Sequence, residues 1–204
     1  MDAAVQSVLD AYHERMRDES AIGAAPGSRI GLEWRDRVLL AVGPETGQLL
    51  NILAHSLDSP TILELGTSYG YSTIWLAEAA KAKGGRLITM ELADYKSAYA
   101  HDMAERAGLA DFVEFQIGDA LELIEKVPAG IDLVLIDHWK DMYVPSFHAL
   151  LPKLNPGAIL IADNMISPGG EAVQAYAREV RATPGIESVL LPVGAGIEVS
   201  RYLG

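Results

Sequence analysis

The chain contains no cysteine among its 204 residues, so disulfide bonds and thiolate metal sites are both excluded. That absence fits a reducing compartment, and we expect a cytoplasmic protein. Basic residues are also scarce, because 16 lysines and arginines stand against 28 aspartates and glutamates. The resulting formal net charge of −12 would repel a phosphate backbone, so we expect no nucleic-acid partner.

Long apolar runs are missing as well. No stretch could span a bilayer, and the first residues have neither a basic start nor an apolar centre, so we predict no membrane segment and no secretory signal. Half of the residues are nonetheless hydrophobic, which is enough for one large core. We therefore predict a single domain over residues 1–204, with N-terminal helices over 1–57, where the family resemblance given below also implies a substrate-entrance segment, and the binding sites in a core over 58–204.

The hydrophobic pattern along the chain alternates between helical and strand periodicity. Helices are predicted over residues 2–19, 45–57, 72–83, 96–107, 120–126, 146–154 and 170–183, with a loop or connector over 21–31. Strands are predicted over residues 61–65, 86–91, 112–117, 131–136, 158–162, 186–193 and 197–202. This order predicts an α/β fold with a doubly wound, mostly parallel seven-stranded sheet that ends in an antiparallel hairpin. Ligands of such sheets bind outside the carboxyl ends of the strands.

A glycine-containing loop follows the first strand. Gly66 and Gly70 let the backbone turn sharply, and amides at the start of the next helix can hold an anionic group. The spacing is not the dinucleotide fingerprint Gly-x-Gly-x-x-Gly, and a turn glycine without a ligand is an equally common alternative. Glu91 ends the second strand, where an acid can accept hydrogen bonds from ribose hydroxyls or simply be solvated. Asp119 ends the third strand and either meets an adenine amino group or caps the following helix.

Polar side chains follow two aliphatic strands near the end of the chain. Asp137 comes directly after the strand over 131–136, and Asp163 and Asn164 come after the strand over 158–162. Because these strands are expected to be neighbours, the two carboxylates and the amide can converge at one edge of the sheet. Such oxygen donors suit a hard divalent cation such as Mg²⁺. For an isolated aspartate the alternative is helix capping or loop hydrogen bonding.

Lys140 lies three residues beyond Asp137 and is a candidate proton acceptor. A divalent cation nearby disfavours an ammonium group and acidifies a bound hydroxyl, which favours proton transfer between them. The alternative is a surface lysine paired with Asp137 or Asp141. His138 either lines a cofactor site, donates a hydrogen bond or covers the loop, and Trp139 provides a packing wall that could lie beside an adenine ring.

The glycine loop and the acid after the second strand resemble the class I S-adenosylmethionine-dependent methyltransferases. Their first motif is similar to Glu64-Leu65-Gly66-Thr67-Ser68-Tyr69-Gly70, and their ribose-binding acid is similar to Glu91. The resemblance runs from about residue 42 to the C-terminus. It implies the Rossmann-like methyltransferase fold with extra helices at the N-terminus.

A narrower resemblance, to the catechol O-methyltransferases, rests on the later motifs. The block Asp137-His138-Trp139-Lys140-Asp141 together with Ala162-Asp163-Asn164 is similar to that family's metal and base positions. Val42-Gly43 followed by Gly47-Gln48 is similar to its entry segment. The five-residue block is quite specific, whereas the glycine loop identifies only the superfamily.

This resemblance implies S-adenosylmethionine and Mg²⁺ as cofactors and a small-molecule catechol as substrate. It implies that Asp137, Asp163 and Asn164 bind the metal and that Lys140 deprotonates a hydroxyl. Glu198 matches the acid that holds the second hydroxyl, and a strand-end glutamate without a ligand is the alternative. The residues expected at the cofactor are Val42, Glu64, Gly66, Ser68, Tyr69, Gly70, Ser72, Glu91, Leu92, Gly118, Asp119, Ala120, Asp137, His138 and Trp139. The residues expected at the substrate are Leu40, Asp137, His138, Trp139, Lys140, Asn164 and Glu198.

The chain departs from the family at its substrate entrance. A tryptophan and a methionine precede the Val-Gly pair in the family, whereas this chain has Val38-Leu39-Leu40-Ala41, with Trp34 further upstream. Asp119-Ala120 also replaces a Ser-Gln pair of animal members. Substrate size, regiochemistry and oligomeric state are therefore left open by the sequence. The alternatives are methylation of a caffeoyl ester or another phenolic, a nicotinamide-dependent oxidoreductase on the same sheet, and a non-catalytic cofactor-binding relative.

Overall fold

The computed structural model describes residues 1–23 and 36–204, which form one seven-stranded sheet flanked by helices. The strands are β1 (Thr61–Leu65), β2 (Arg86–Glu91), β3 (Val113–Ile117), β4 (Ile131–Ile136), β5 (Leu154–Ala162), β6 (Ile186–Leu191) and β7 (Ile197–Tyr202). The helices are α1 (Ala3–Gly23), α2 (Pro44–His55), α3 (Tyr71–Lys83), α4 (Asp94–Arg106), α5 (Ala120–Lys126), α6 (Tyr143–Leu150) and α7 (Glu171–Ala182).

The sheet has the strand order β3-β2-β1-β4-β5-β7-β6. Strands β1 to β5 pair in parallel, and β7 pairs antiparallel with both β5 and β6. The predicted fold class is therefore confirmed. Chain order reverses between β1 and β4, and the crevice outside the carboxyl ends of these two strands is where such sheets bind ligands.

Two hydrophobic layers cover the faces of the sheet. Leu133 and Leu135 of β4 face the layer that contains α1, α2, α3 and α4, whereas Val134 and Ile136 face α5, α6 and α7. Alternate residues of a strand point to opposite faces, so a central strand buried on both sides is largely aliphatic. This explains the run Ile131–Ile136, in which Asp132 near the amino end is the one polar residue, and it fixes the carboxyl end of β4 for the residues that follow it.

Two predicted elements in the second half of the chain begin well before their predicted starts. The helix predicted over 146–154 is α6, which begins at Tyr143 and ends at Leu150, because Pro145 lies in the first turn, where no helical N–H bond is needed. The strand predicted over 158–162 begins at Leu154. Asn155, Pro156 and Gly157, which lay between the predicted helix and the predicted strand, belong to β5. They lie where the pairing with β4 shifts register, so the missing N–H of proline is tolerated.

The N-terminal helix is longer than expected, since α1 includes Ala21 to Gly23, which were predicted as part of the connector over 21–31. The rest of that connector lies outside the described residues, as does Trp34. Among the described residues, no helix is both long enough and apolar enough to cross a membrane.

Candidate active site

The carboxyl ends of β4 and β5 deliver the acids of the site. The backbone N–H of Asp137 donates to the carbonyl of Leu65 at 2.9 Å, and the N–H of Asp163 donates to the carbonyl of Ile136 at 3.1 Å. Each acid is therefore held by the end of the neighbouring strand. Gly66, with φ of 103°, lies against the backbone of Asp137, and a Cβ at that position would collide with the Asp137 carbonyl. The glycine loop and the acid after β4 thus support each other's position.

Lys140 lies at the centre of this oxygen cluster. Its Nζ donates to Asn164 Oδ1 at 2.5 Å, to the Tyr143 hydroxyl at 2.7 Å and to Asp137 Oδ1 at 3.1 Å. The structure therefore brings together Asp137, Lys140 and Asn164, as expected from the strand ends. It also shows that these oxygens can surround a positive charge.

Asp163 contributes a buried oxygen that is not satisfied. The residue is 1% exposed, and its Oδ1 has no hydrogen-bond partner among residues 1–23 and 36–204. Burial, followed by repulsion from Asp137, raises the pKa of Asp163, and burial raises the pKa of Asp137 against the opposing charge of Lys140. Two buried carboxylates need more positive charge than one ammonium supplies. The donor set, two carboxylates and one amide oxygen, fits a resident Mg²⁺ ion.

Tyr143 belongs to the same cluster and was not singled out from the sequence. Its side chain is fully buried, and its hydroxyl donates to the backbone carbonyl of Asp163 at 3.1 Å. Burial raises its pKa well above the ordinary value, so the group is a neutral phenol. The only sequence signal was its spacing of three residues from Lys140, which places both on the short helical stretch over 140–150.

His138 and Trp139 differ strongly in exposure. The His138 Nε2 lies 2.9 Å from the Ser146 hydroxyl, and its buried Nδ1 has no partner within the described part of the chain. Burial, then the charge of Lys140, lowers the pKa of His138 to about 4, so its ring is neutral at physiological pH. Trp139 is 65% exposed, which leaves its ring free to form the flat wall expected beside an adenine.

The glycine loop is held in place by the acid that ends β2. Glu91 accepts the N–H of Ser68 at 2.8 Å through one oxygen and the N–H of Ala93 at 3.0 Å through the other. The hydroxyl of Ser68 donates to the carbonyl of Leu39 at 3.1 Å. This links the loop to the segment before α2, and the ribose role of Glu91 stays a prediction.

Glu64 lies beneath the glycine loop and is fully buried. Its carboxylate accepts hydrogen bonds from the hydroxyls of Ser72 at 2.5 Å, Thr73 at 2.6 Å and Thr89 at 2.6 Å. Burial, opposed by these hydrogen bonds, raises the pKa of Glu64 to about 7. In this structure Glu64 therefore fixes the start of α3 to β1 and β2.

The remaining residues expected at the cofactor line the same edge of the sheet. Asp119 caps α5, because its side chain accepts the N–H groups of Leu121 at 2.9 Å and Glu122 at 3.3 Å. Leu92 is 69% exposed just after β2. The other positions at this edge are Tyr69, Gly70, Gly118 and Ala120, with Val42 on the segment before α2.

Segment 36–43 crosses in front of the glycine loop and is tied down at several points. The Tyr69 hydroxyl donates to the carbonyl of Asp36 at 3.0 Å, and the Asp36 carboxylate accepts from the Tyr95 hydroxyl at 2.5 Å. From α1, Glu19 accepts the N–H of Leu39 at 3.0 Å. Leu40 is half exposed, and its φ of 48° lies in the left-handed region, which is unusual for a leucine.

The turn between β6 and β7 touches two parts of this edge. The carbonyl of Gly196 accepts the N–H of Met165 at 2.8 Å, just after Asn164. A Cβ on Gly196 would collide with Ile166, and a Cβ on Gly194 would collide with Thr46. Glycine is therefore required in this turn for the two neighbouring segments to approach so closely.

Glu198 forms its hydrogen bonds with Arg181 and Ser188 and not with the residues around Lys140. Its fully buried carboxylate accepts from Arg181 Nε at 2.7 Å, from Arg181 Nη2 at 2.6 Å and from the Ser188 hydroxyl at 2.5 Å. It pairs across the sheet with Ala162, so its side chain points to the face covered by α7. There it lines a cavity of about 590 Å³, bordered also by Met165. Its proposed contact with a substrate hydroxyl stays a prediction.

Comparison with known proteins relates this chain to one enzyme class. Residues 63–165 match a protein family described as a methyltransferase domain. The chain is 39% identical over 134 residues to a catechol O-methyltransferase of Niastella koreensis, covering 64% of this chain and 60% of that protein. It is 34% identical over 157 residues to a catechol O-methyltransferase of Mycobacterium tuberculosis, covering 75% of this chain and 71% of that protein. The match to the Niastella koreensis protein thus spans less than two thirds of that protein's length.

Among solved structures, the chain is similar to the O-methyltransferase TomG from Streptomyces achromogenes, in complex with SAM. The two share 25% identity with a TM-score of 0.75, over 100% of this chain and 91% of TomG.

Proposed function

Because the chain belongs to the catechol O-methyltransferase-like family of S-adenosylmethionine-dependent methyltransferases, we propose that it transfers a methyl group from S-adenosylmethionine to one hydroxyl of a catechol in a Mg²⁺-dependent reaction. The family membership supports the methyl donor, and the names of the relatives support the acceptor. The family membership and the names of the relatives favour methyl transfer over the two alternatives, a nicotinamide-dependent oxidoreductase and a non-catalytic cofactor-binding protein.

The observation that carries the proposal is the oxygen cluster around Lys140. Asp137 and Asn164 already contact the ammonium of Lys140, and a buried oxygen of neighbouring Asp163 has no partner within residues 1–23 and 36–204. We assign these three residues as the ligands of Mg²⁺. An ion bound there would acidify a coordinated hydroxyl, which is the chemistry that a catechol acceptor needs.

In the proposed reaction Lys140 accepts the proton of the acceptor hydroxyl. The oxygen then forms a bond to the methyl carbon while the bond from that carbon to sulfur breaks, and the sulfur leaves as a thioether. The protein holds donor and acceptor in line, which can lower the barrier by about 7–11 kcal/mol. His138 is neutral and therefore adds no charge next to Lys140.

Exposed apolar side chains on the segments around the site support an aromatic acceptor. Trp139 lies next to Lys140 in the sequence, and Ile166 follows Asn164 by two residues. Leu40 follows Leu39, whose carbonyl accepts the Ser68 hydroxyl of the glycine loop. The side chains of Trp139, Ile166 and Leu40 are 65%, 53% and 52% exposed. Exposed apolar groups around a polar centre are typical of a binding groove for a flat hydrophobic ligand.

The proposal is tested by a methyl-transfer assay over a panel of catechols and caffeoyl esters, with Mg²⁺ and with EDTA. We expect transfer to catechols that stops in EDTA and returns when Mg²⁺ is added. Undiminished transfer in EDTA would defeat the metal assignment, and transfer to the caffeoyl ester alone would replace the catechol as substrate.

The base is tested by Lys140→Met, with Lys83→Met as the matched control because Lys83 pairs with exposed Asp58 at the end of α3. Loss of a general base lowers kcat by about 100-fold or more. We expect that loss for Lys140→Met, with an unchanged Kd for S-adenosylmethionine by calorimetry. Wild-type kcat in Lys140→Met would remove this lysine from the reaction.

A further inference from the structure

Lys140 donates to three oxygens, and a bound metal would compete with the lysine for only two of them. Two of them, Asp137 Oδ1 and Asn164 Oδ1, belong to the residues assigned to Mg²⁺. Their lone pairs would face the metal, and the charge of the metal would repel the lysine. The third partner, the Tyr143 hydroxyl at 2.7 Å, is not in the metal set.

The direction of the hydrogen bonds at Tyr143 follows from its partners. A phenol has one hydrogen, and the Asp163 carbonyl, 3.1 Å away, can only accept it. The hydroxyl therefore has only lone pairs to offer to Lys140 Nζ. Because a carbonyl fixes the hydrogen, the lone pairs of Tyr143 have a defined direction toward the lysine.

The ring of Tyr143 is held by packing as well as by this bond. It is fully buried, with the Tyr176 ring edge-on at 5.7 Å between centroids and the His138 ring at 5.4 Å. A side chain locked in this way can hold a flexible partner in one place. Lys140, by contrast, has four rotatable methylenes and lies on a short 3₁₀ turn over residues 140–142.

We propose that Tyr143 is a positioning residue, whose hydroxyl keeps the Lys140 Nζ beside the acceptor oxygen once Mg²⁺ has taken the Asp137 and Asn164 oxygens. This inference rests on the proposed function. It adds a residue that acts through the base rather than on the metal or on the methyl donor.

The test is Tyr143→Phe, which removes only the hydroxyl. Tyr176→Phe is the matched control, because the Tyr176 hydroxyl is equally buried but has no partner among the described residues. A misplaced catalytic group can cost about 100-fold in rate, and we expect kcat of Tyr143→Phe to fall by about 10- to 100-fold. Calorimetric titration with MgCl₂ alone should give the wild-type Kd for the ion, and the KM for the catechol should stay near its wild-type value.

A double variant shows whether Tyr143 acts through the lysine. In the Lys140→Met background, Tyr143→Phe should cause no further loss of kcat. Equal kcat in Tyr143→Phe and Tyr176→Phe, a weakened Mg²⁺ affinity in Tyr143→Phe, or full additivity in the double variant would each overturn the inference. If Lys140→Met itself keeps wild-type kcat, it is the base assignment in the proposed function that fails, and the inference fails with it.

Discussion

Three acids of the site have different partners. Glu64 and Asp163 are almost completely removed from water, and the side chain of Asp137 is 14% exposed. Glu64 is enclosed by three hydroxyls, Asp137 has the ammonium of Lys140, and Asp163 has an oxygen without a partner among the described residues. The sequence places all three at strand ends or next to them. The sequence does not reveal how many hydrogen bonds each carboxylate accepts, because the partners come from other elements. The hydroxyls around Glu64, for example, come from α3 and β2.

The buried Glu64 should make the stability of the protein depend on pH. Its pKa is raised from 4.5 to about 7, so the folded state binds this proton more tightly than the unfolded chain does. Stability is therefore greatest below pH 4.5 for this group and is lost as the pH rises through 7. Relative to Glu64→Gln, wild-type protein should lose roughly 2–3 kcal/mol of unfolding free energy between pH 5 and pH 8.

Urea unfolding at several pH values, in EDTA for both proteins, measures this difference. Acids that do not interact with Glu64 contribute equally to the two proteins and cancel in the comparison. Parallel pH profiles for wild type and Glu64→Gln would show that Glu64 keeps its ordinary proton affinity.

At the scale of elements, α7 and β7 are joined by the ion pair of Arg181 and Glu198. The Glu198 side chain is completely buried and the Arg181 side chain is 47% exposed, with two parallel hydrogen bonds between them. Breaking a fully buried pair costs about 3–5 kcal/mol, since the remaining charge is left without a partner. Because the arginine is half exposed, we expect Arg181→Met to lower the unfolding free energy by about 2–3 kcal/mol.

The same helix provides the control. Arg178 pairs with Glu171, and the two side chains are 64% and 78% exposed, so Arg178→Met should change stability by less than about 0.5 kcal/mol. Urea unfolding of both variants at pH 7 measures the contrast. Equal small effects would mean that the Glu198 carboxylate is solvated well enough without Arg181.

The accuracy of the element predictions follows the strength of the local signal. β1, β2, β4 and β7 were predicted to the residue, because each is a short β-prone run with clear ends. The start of α6 was misplaced because a proline in the first turn looks like a boundary. The direction of Glu198 depends on its register with Ala162 of β5, and a strand read alone does not contain that information.

At the scale of the whole molecule, the N-terminal region and the sheet form one packed layer. Val5 and Leu9 of α1 and Leu50 of α2 lie in the same hydrophobic cluster as Leu133 of β4. Tyr12 also donates from α1 to the backbone carbonyl of Tyr69 in the glycine loop at 2.5 Å. The glycine loop is thus tied directly to the packed N-terminal layer.

Metal binding should stabilise the folded protein globally. An ion that binds only the folded state adds about 2.7 kcal/mol of unfolding free energy at 100 times its Kd. We expect MgCl₂ to raise the Tm of the wild-type protein by scanning calorimetry and to leave Asp163→Asn unchanged, since that variant lacks one buried carboxylate ligand. A Tm increase of the same size in Asp163→Asn would place the ion elsewhere.

The turn over residues 194–196 lies between two regions that are far apart in the sequence, the segment before α2 and the loop after β5. Substitutions in this short connection would displace both neighbouring segments at once, while Asp137 and Asp163 stay anchored to strand ends. In the proposed reaction, acceptor selectivity and methyl transfer would then depend on separate parts of the chain. Directed engineering of the turn could alter which acceptors bind without changing the groups assigned to the transfer.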